Sequence, residues 1–343
     1  MELEFRSRHF TAEFESPFEN FRKAEVAGEV RTCPLSGHIT RILPIRMRQL
    51  VPADMEPLIS QSKAGCPFCP EAIETKTPRF TGSFLPGGGR IQFGETVIFP
   101  NAFPYDAYSA VAVITRQHFV SLGQFSPELL SQAFGASLLY FQRAKEVFPD
   151  APQALLAWNY MPLAGAGLIH PHFQLAALAE PTYFYRRILE RGRSCDSGGK
   201  KSILEELMDR EIEAKGRYIA RIGQWHWLTA FAPRAIYEFW GVFSEAANVL
   251  ELEERDLTDL ASGISPILRF LETKGVQALN MTLYSHYSTP GNGLRNWVSI
   301  IPRVSFPPMG TSDGNYFDKL HGESIAFTRP EEVTLEVRKF FSS

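Results

Sequence analysis

Residues 153–178 of the chain read QALLAWNYMPLAGAGLIHPHFQLAAL, and a related stretch returns further on, at residues 277–303. Each stretch begins with Gln-Ala-Leu and continues through a Gly-x-Gly-Leu segment, which starts at Gly165 in the first copy and at Gly291 in the second. Apolar runs on both sides of the glycines are typical of two strands joined by a loop. The recurrence indicates an internal duplication.

The elements around these two stretches predict the same order twice: two strands, a helix and two further strands. The first helix is expected to begin after Ser126, a favoured N-cap, and the second to extend from about Glu253 to Lys274. We therefore expect an α+β fold in which two tandem β-β-α-β-β units form one continuous, mostly antiparallel sheet with helices packed on it. The expected divisions are an N-terminal domain at 1–181, a solvated helical connection at 182–216 and a C-terminal domain at 217–343.

Composition excludes several classes of function. The 343 residues hold 35 Lys and Arg against 38 Asp and Glu, so a formal charge of -3 argues against a nucleic-acid partner. No apolar run approaches the roughly 18 residues that a membrane helix needs, and the amino terminus has no apolar segment typical of a signal peptide. We expect a cytoplasmic protein with no membrane partner, in which four cysteines are too few for a disulfide framework.

The segment His-Pro-His-Phe-Gln at residues 170–174 is the main candidate for chemistry. Because side chains alternate along a strand, His170, His172 and Gln174 are expected to project together from a strand predicted over Leu168 to Leu178. A neutral imidazole can attack phosphorus, and an amide N–H can hold a phosphoryl oxygen as charge develops on it. The alternative is a pair of edge-strand histidines with no catalytic role.

The second copy has no such pair of histidines. Sliding it onto the first places Asn296 near His170 and Val298 near His172, so only the first half can carry this chemistry. His286 is interpreted as a polar loop residue.

A pair of cysteines suggests a metal site. Cys66 and Cys69 have the spacing of a zinc knuckle, and a tetrahedral site would need two more ligands. His118, just past a predicted strand, and His170 are the candidates. A reduced cysteine pair packed in a loop, with His118 as a polar loop residue, is the alternative.

Several motifs occur in one order along the chain: Cys33-Pro34-Leu35-Ser36-Gly37, Pro44-Ile45-Arg46, the Cys66-x-x-Cys69 knuckle, Phe99-Pro100-Asn101-Ala102-Phe103, His118, Asn159 and His170-Pro171-His172-x-Gln174. In this order, over nearly the whole length, the chain resembles the galactose-1-phosphate uridylyltransferase family of the histidine-triad superfamily. The resemblance implies that each of the two units is histidine-triad-like. It also implies a homodimer, through a carboxy-terminal segment at 316–323 that resembles a family region reaching the partner subunit.

The resemblance assigns roles to individual residues. It implies a zinc ion at Cys66, Cys69, His118 and His170. It implies that His172 takes up a nucleoside monophosphate as the nucleophile and that Gln174 holds a phosphoryl oxygen. Arg46 would contact phosphate, and the remaining substrate contacts would come from Phe99, Asn101, Phe103 and Asn159.

The activity implied is a nucleotidylyltransferase that exchanges a nucleoside monophosphate between a nucleotide sugar and a sugar 1-phosphate, of the UDP-glucose and galactose 1-phosphate type. Phe173 stands where the transferases usually have glycine, and it favours an alternative, a phosphorylase of a nucleotide sugar or a dinucleoside polyphosphate. Gly167, where a phosphate-binding serine is common, and the missing histidines of the second half suggest a third hypothesis, a zinc-stabilised nucleotide-binding protein without turnover.

Overall fold

The structure, a computed structural model, describes residues 3–43, 50–195, 202–287, 294–306, 311–312 and 314–342. The strands are β1 (Arg6–Ser16), β2 (Arg22–Thr32), β3 (Ile39–Ile42), β4 (Ile91–Phe93), β5 (Thr96–Pro100), β6 (Tyr108–Val113), β7 (Gln153–Tyr160), β8 (His172–Leu178), β9 (Tyr218–Ile222), β10 (Trp225–Thr229), β11 (Phe239–Phe243), β12 (Ala278–His286), β13 (Trp297–Arg303), β14 (Ser305–Phe306), β15 (Thr311–Ser312) and β16 (Ser324–Ala326). The α-helices are α1 (Glu56–Lys63), α2 (Pro70–Lys76), α3 (Pro127–Val147), α4 (Tyr183–Cys195), α5 (Ile203–Ala214), α6 (Glu254–Thr273) and α7 (Pro330–Phe341).

Ten strands form one sheet in the order β4-β5-β6-β8-β7-β12-β13-β11-β10-β9, and every neighbouring pair in it is antiparallel. The five strands of the first half meet those of the second half at the β7–β12 pair, and the second half repeats the strand order of the first in reverse. The predicted α+β class and the continuous antiparallel sheet are confirmed. Each half has three strands before its helix, one more than the predicted β-β-α-β-β order gives.

Helices α3 and α6 pack on one face of this sheet and on each other. The Ser126 hydroxyl accepts a hydrogen bond from the Leu129 N–H, which caps α3 as its sequence predicts. Phe134 and Phe141 on α3 and Leu260 and Ile264 on α6 are fully buried in the main apolar core. We call this the core face of the sheet. The opposite face, which carries His172 and Gln174, is called the site face.

The register of the strands corrects the expected alignment of the two halves. Gln153 pairs with Leu178 across β7 and β8, and Ala278 pairs with Arg303 across β12 and β13. A constant offset of 125 residues is the one that maps the first ladder onto the second. It places Trp297 in the position of His172, where the sequence comparison had placed Val298. The Gln-Ala-Leu motifs lie 124 residues apart and the Gly-x-Gly-Leu motifs lie 126 residues apart, so an alignment on the glycine motif is one residue out of register on the strands.

The sequence predicts a solvated helical connection between the halves, but both of its helices, α4 and α5, bury side chains in the protein. Tyr185 of α4 and Leu204 and Leu207 of α5 are buried in a second apolar core, together with Tyr284 and Trp297 of the sheet. These sheet residues lie on the site face, because Tyr284 pairs with Leu155 and Trp297 pairs with Tyr284. Helix α4 therefore closes the site face of the second half, while the first half keeps its polar residues there.

A smaller sheet with the order β1-β2-β3-β16 contains the long β1–β2 hairpin, and β14 pairs with β15. Among the described residues, no helix combines the length and the apolar character needed to cross a membrane.

Candidate active site and metal centre

Two thiols and two imidazoles meet beside the first-half sheet. Cys66 lies in the turn before α2, and Cys69 is the N-cap residue of that helix. His118 follows β6 in a loop, and His170 lies just before β8. All four side chains are buried, and their ligand atoms lie within 4.8 Å of one another. Segments about fifty residues apart in sequence thus converge on one point, which could hold a metal ion.

The distances match a tetrahedral site. The Nδ1 atom of His170 lies 3.7 Å from Cys66 Sγ and 3.6 Å from Cys69 Sγ, and the Nδ1 atom of His118 lies 3.4 Å from Cys69 Sγ. Zinc–sulfur and zinc–nitrogen bonds at tetrahedral angles separate the sulfur and nitrogen atoms by about 3.6 Å. These three sulfur–nitrogen distances are therefore the ones that a tetrahedral zinc site requires.

Hydrogen bonds on the far side of each ring fix the tautomers. His170 Nε2 donates to the Thr115 backbone oxygen at 2.8 Å, since a carbonyl can only accept. Ser62 donates its proton to the Leu58 backbone oxygen, so it accepts from His118 Nε2 at 3.1 Å. Both rings therefore present the lone pair of Nδ1 to the thiols, as metal-ligating histidines do.

The protonation states of Cys69 and His170 also support a metal site. Burial, together with the neighbouring Cys66, raises the pKa of the Cys69 thiol to about 12. The Cys69 thiol can thus ionise at neutral pH only beside a cation, and a divalent metal supplies one. Burial also lowers the pKa of His170 to about 4, which keeps that imidazole neutral and able to coordinate.

His172 begins β8 and is almost completely buried. Its Nδ1 atom lies 2.7 Å from the backbone oxygen of His170 and must donate to it. Burial lowers the pKa of His172, so the ring is neutral near pH 7. A neutral ring with its proton held on Nδ1 has its lone pair on Nε2, which is the form that attacks an electrophile.

Gln174 lies on the same face of β8, two residues further on. Asn101 Nδ2 donates to Gln174 Oε1 at 3.0 Å, while Asn101 Oδ1 accepts from the Phe103 backbone N–H at 2.9 Å. Because a backbone N–H can only donate, these two bonds decide which way both amides point. The Gln174 oxygen faces Asn101, and its NH2 group is turned to the other side.

The other predicted substrate residues have different environments. Phe99 is buried and packs with Val111 and Val113 in a small apolar cluster on the site face. Phe103 is 86% exposed, so its ring faces solvent at the edge of the site. Asn159 lies on β7 and accepts a hydrogen bond from Asn280 Nδ2 at 2.7 Å. Arg46 lies outside the described residues.

Solved structures with this arrangement of strands and helices are known. A GalT-like protein from Arabidopsis thaliana matches with a TM-score of 0.69 at 16% identity, over 91% of this chain and 98% of that one. The chain shares the fold of the uridylyltransferases. A uridylyltransferase structure matches with a TM-score of 0.66 at 19% identity, over 91% and 98% of the two chains. The motif-based resemblance is thereby confirmed at the level of the fold.

Two further comparisons complete the picture. An ADP-glucose phosphorylase from Arabidopsis thaliana with bound ADP-glucose matches this uridylyltransferase-like fold with a TM-score of 0.68 at 16% identity, over 91% of this chain and 99% of that one. An uncharacterized protein of Archaeoglobus fulgidus is 28% identical over 318 residues, which is 92% of each chain. No family model matches the sequence.

His170 lies just before β8, which begins at His172, and the rings of both histidines lie edge-on to Phe68, with centroid distances of 6.1 Å and 5.2 Å. One sequence-based expectation about the histidine segment needs correction. Phe173 is completely buried on the core face, stacked on Phe134 and edge-on to Trp158. It cannot contact a ligand bound on the site face, so it does not favour one acceptor over another.

Sequence reasoning missed several residues that shape the site. The Phe68 ring lies edge-on to His172, with 5.2 Å between ring centroids, and its position inside the Cys-Pro-Phe-Cys motif was an available signal. The backbone oxygen of Thr115, the Ser62 hydroxyl and Asn280 carry no signal in their local sequence. His286, interpreted as a loop residue, is the last residue of β12, and its backbone N–H donates to Ala247.

Proposed function

We propose that the chain is a nucleotidylyltransferase that works through a covalent nucleotidyl-His172 intermediate. The observation that carries this proposal is the hydrogen bond from His172 Nδ1 to the His170 backbone oxygen, which leaves Nε2 as the nucleophilic atom. It is supported by the uridylyltransferase-like fold, in which proteins that act on nucleotides are represented.

The reaction proceeds in two displacements. In the first, the Nε2 lone pair attacks the α-phosphorus of a nucleotide sugar, a P–N bond forms, and the P–O bond to the sugar phosphate breaks. The leaving sugar 1-phosphate keeps the bonding electrons. The imidazolium of His172 keeps its proton on Nδ1, hydrogen-bonded to the His170 backbone oxygen. In the second, an oxygen of the acceptor phosphate attacks the same phosphorus, the P–N bond breaks, and neutral His172 is restored.

Gln174 stabilises the charge that develops during both steps. Asn101 holds its amide oxygen, so the Gln174 NH2 group is the part available to a phosphoryl oxygen. A donor fixed before the reaction begins does not have to reorganise in the transition state. Phe103, exposed beside Asn101, offers an aromatic surface on which a base can stack.

Cys66, Cys69, His118 and His170 would hold a zinc ion as a closed structural site. When bound, the ion supplies a fixed anchor for four distant segments. Since the His170 backbone oxygen orients the His172 ring, rigidity at the ligand His170 passes to the nucleophile through one hydrogen bond.

We propose a nucleotide sugar as the donor and a sugar 1-phosphate as the acceptor, of the UDP-glucose and galactose 1-phosphate type. Phosphorolysis, with inorganic phosphate as acceptor, is the second candidate, and the match to an ADP-glucose phosphorylase supports it. Both reactions use the same His172 adduct and differ only in the second displacement.

The test is covalent labelling. The protein is incubated with α-labelled UDP-glucose, ADP-glucose, GDP-glucose and diadenosine tetraphosphate in parallel, and acid-labile protein-bound label is counted. We expect label in the wild type, none in His172→Ala, and full label in the control His226→Ala, whose ring contacts Tyr218 in the second half. Chasing with galactose 1-phosphate or with phosphate then identifies the acceptor. Tight nucleotide binding without label in any mixture would indicate the non-catalytic alternative.

A further inference from the structure

A line of polar side chains crosses the sheet from the second half to the first. Arg303 Nη1 donates to Asn280 Oδ1 at 3.2 Å, and Asn280 Nδ2 donates to Asn159 Oδ1 at 2.7 Å. Asn280 Nδ2 also donates to the Ala164 backbone oxygen at 2.8 Å. Three adjacent strands, β13, β12 and β7, each contribute one member of this line.

The direction of the amide of Asn280 is fixed by partners that have no choice of role. A guanidinium can only donate and a carbonyl can only accept, so Asn280 must turn its oxygen to Arg303 and its nitrogen to Ala164. The same nitrogen then requires an acceptor on Asn159, which is its Oδ1 atom. The Asn159 NH2 group is left to face the other way.

The Asn159 NH2 group faces the glycine loop between β7 and β8, on the side of the sheet that carries His172. A Cβ atom added at Gly165 would lie 3.9 Å from Asn159 Nδ2, so the amide nitrogen faces the loop between β7 and β8. Ala157 pairs with Gln174 across these strands, and the same antiparallel register continued by two residues puts Asn159 opposite His172. The register extended beyond the last β7–β8 pair, Ala157 with Gln174, thus puts Asn159 next to the nucleophile with its donors on the loop side.

We propose that Asn280, held by Arg303, is a positioning residue that keeps the N–H groups of Asn159 directed toward a phosphoryl group bound at His172. This inference rests on the proposed function and extends it. The second half, which has no histidine pair of its own, contributes to the first-half site by orienting one of its donors. A phosphoryl oxygen needs N–H groups, and an Asn159 turned by 180° would present its carbonyl oxygen to the same anion.

The substitution Asn280→Asp tests this directly. A carboxylate cannot donate to Asn159 Oδ1, so the Asn159 amide is expected to turn and offer its NH2 group to residue 280. We expect adduct formation to slow by about 100-fold, the usual effect of losing one fixed donor. The matched control is Thr282→Val, on the same strand and the same face but opposite Ala157, and it should label at the wild-type rate.

A double-mutant cycle separates positioning from general damage. In an Asn159→Ala background there is no amide to orient, so adding Asn280→Asp should change the rate less than threefold. Asn280→Asp must also unfold within a few degrees of Asn280→Ala. Equal additional losses with and without Asn159 would overturn the inference.

Ligand affinity keeps this test independent of turnover. UMP, AMP and ADP-glucose are titrated calorimetrically into His172→Ala and into two double variants that add Asn280→Asp or Thr282→Val. Added Asn280→Asp should weaken the affinity at least tenfold, and added Thr282→Val should not change it. If the wild type takes up no label but the affinity difference is found, the adduct is refuted and the orientation of Asn159 is supported. If the wild type is labelled but Asn280→Asp changes neither the labelling rate nor the affinity, only the orientation of Asn159 is refuted. Absence of both label and nucleotide affinity would overturn both proposals.

Discussion

The Nδ1 atom of His172 lies 2.7 Å from the backbone oxygen of His170, so a candidate metal ligand also orients the candidate nucleophile. The side chain of His170 faces the two cysteines, while its carbonyl holds the ring of His172. His170 thus links the candidate metal site to the candidate nucleophile, and we expect a disturbance of the metal site to impair both.

Substituting a metal ligand should therefore affect both zinc content and catalysis. We expect wild-type protein to carry one zinc ion per chain by elemental analysis and Cys66→Ser to carry almost none. Adduct formation in Cys66→Ser should fall by about tenfold to 100-fold, as is usual when the support of a metal site is lost. Cys33→Ala is the control, because Cys33 is a buried free thiol in the second apolar core. Full zinc content in Cys66→Ser would contradict the site.

Gln174 should be sensitive to the chemistry of its outward-facing group. Gln174→Glu replaces the available NH2 group with a carboxylate oxygen and should slow adduct formation by about 100-fold to 1000-fold. Asn101→Ala leaves the Gln174 amide in place but free to turn, so its effect should be smaller. Rates are compared by rapid-quench labelling. A Gln174→Glu protein that labels at the wild-type rate would exclude the proposed role.

The glycine loop offers a pair of matched substitutions. A Cβ atom at Gly167 would meet no atom within 4 Å, whereas Gly165 has a φ of +92° that strains any other residue. Gly165→Ser should lower the free energy of unfolding by about 1–2 kcal/mol, and Gly167→Ser by less than about 0.5 kcal/mol. The added hydroxyl can donate to a phosphate oxygen, so Gly167→Ser should bind a nucleotide sugar about threefold to tenfold more tightly than the wild type. Chemical denaturation and calorimetry measure the two effects.

The second half contains a buried ion pair whose contribution depends on pH. Glu238 is buried, and it accepts hydrogen bonds from Arg234, Trp240 and Ser299. Burial alone would raise the pKa of Glu238, but the Arg234 charge and the hydrogen bonds outweigh it and lower that pKa. The pair therefore stabilises the fold fully above about pH 4.3, the ordinary pKa of a glutamate, and loses its effect as pH falls through the lower folded pKa.

Glu238→Gln should consequently lower the free energy of unfolding at pH 7 by about 3–5 kcal/mol, because Arg234 is left without a charge partner. The difference from wild type should shrink in denaturation experiments carried out progressively below pH 4.3. A difference that stays constant between pH 7 and pH 3 would contradict the lowered pKa of Glu238.

Local sequence was sufficient for the elements that it controls. Ser126 and Pro127 predict the start of α3, and the alternation along β8 places His172 and Gln174 on one face. It predicts a strand from Leu168, whereas β8 begins at His172, and His170 lies before the strand with its Nδ1 atom facing Cys66 and Cys69. It could not predict the Asn280–Asn159 contact, which requires knowing that β12 pairs with β7. The cover that α4 provides over Trp297 depends likewise on packing between distant segments.

Peptide mapping of the covalent adduct tests the central claim most directly. Wild-type protein is mixed with each nucleotide sugar, digested under neutral conditions and analysed by mass spectrometry for a nucleoside monophosphate on a histidine. The account predicts that the modification lies on His172, at Nε2, and is absent from His172→Ala. Turnover without any modified peptide, or a modification on another residue that persists in His172→Ala, would contradict it.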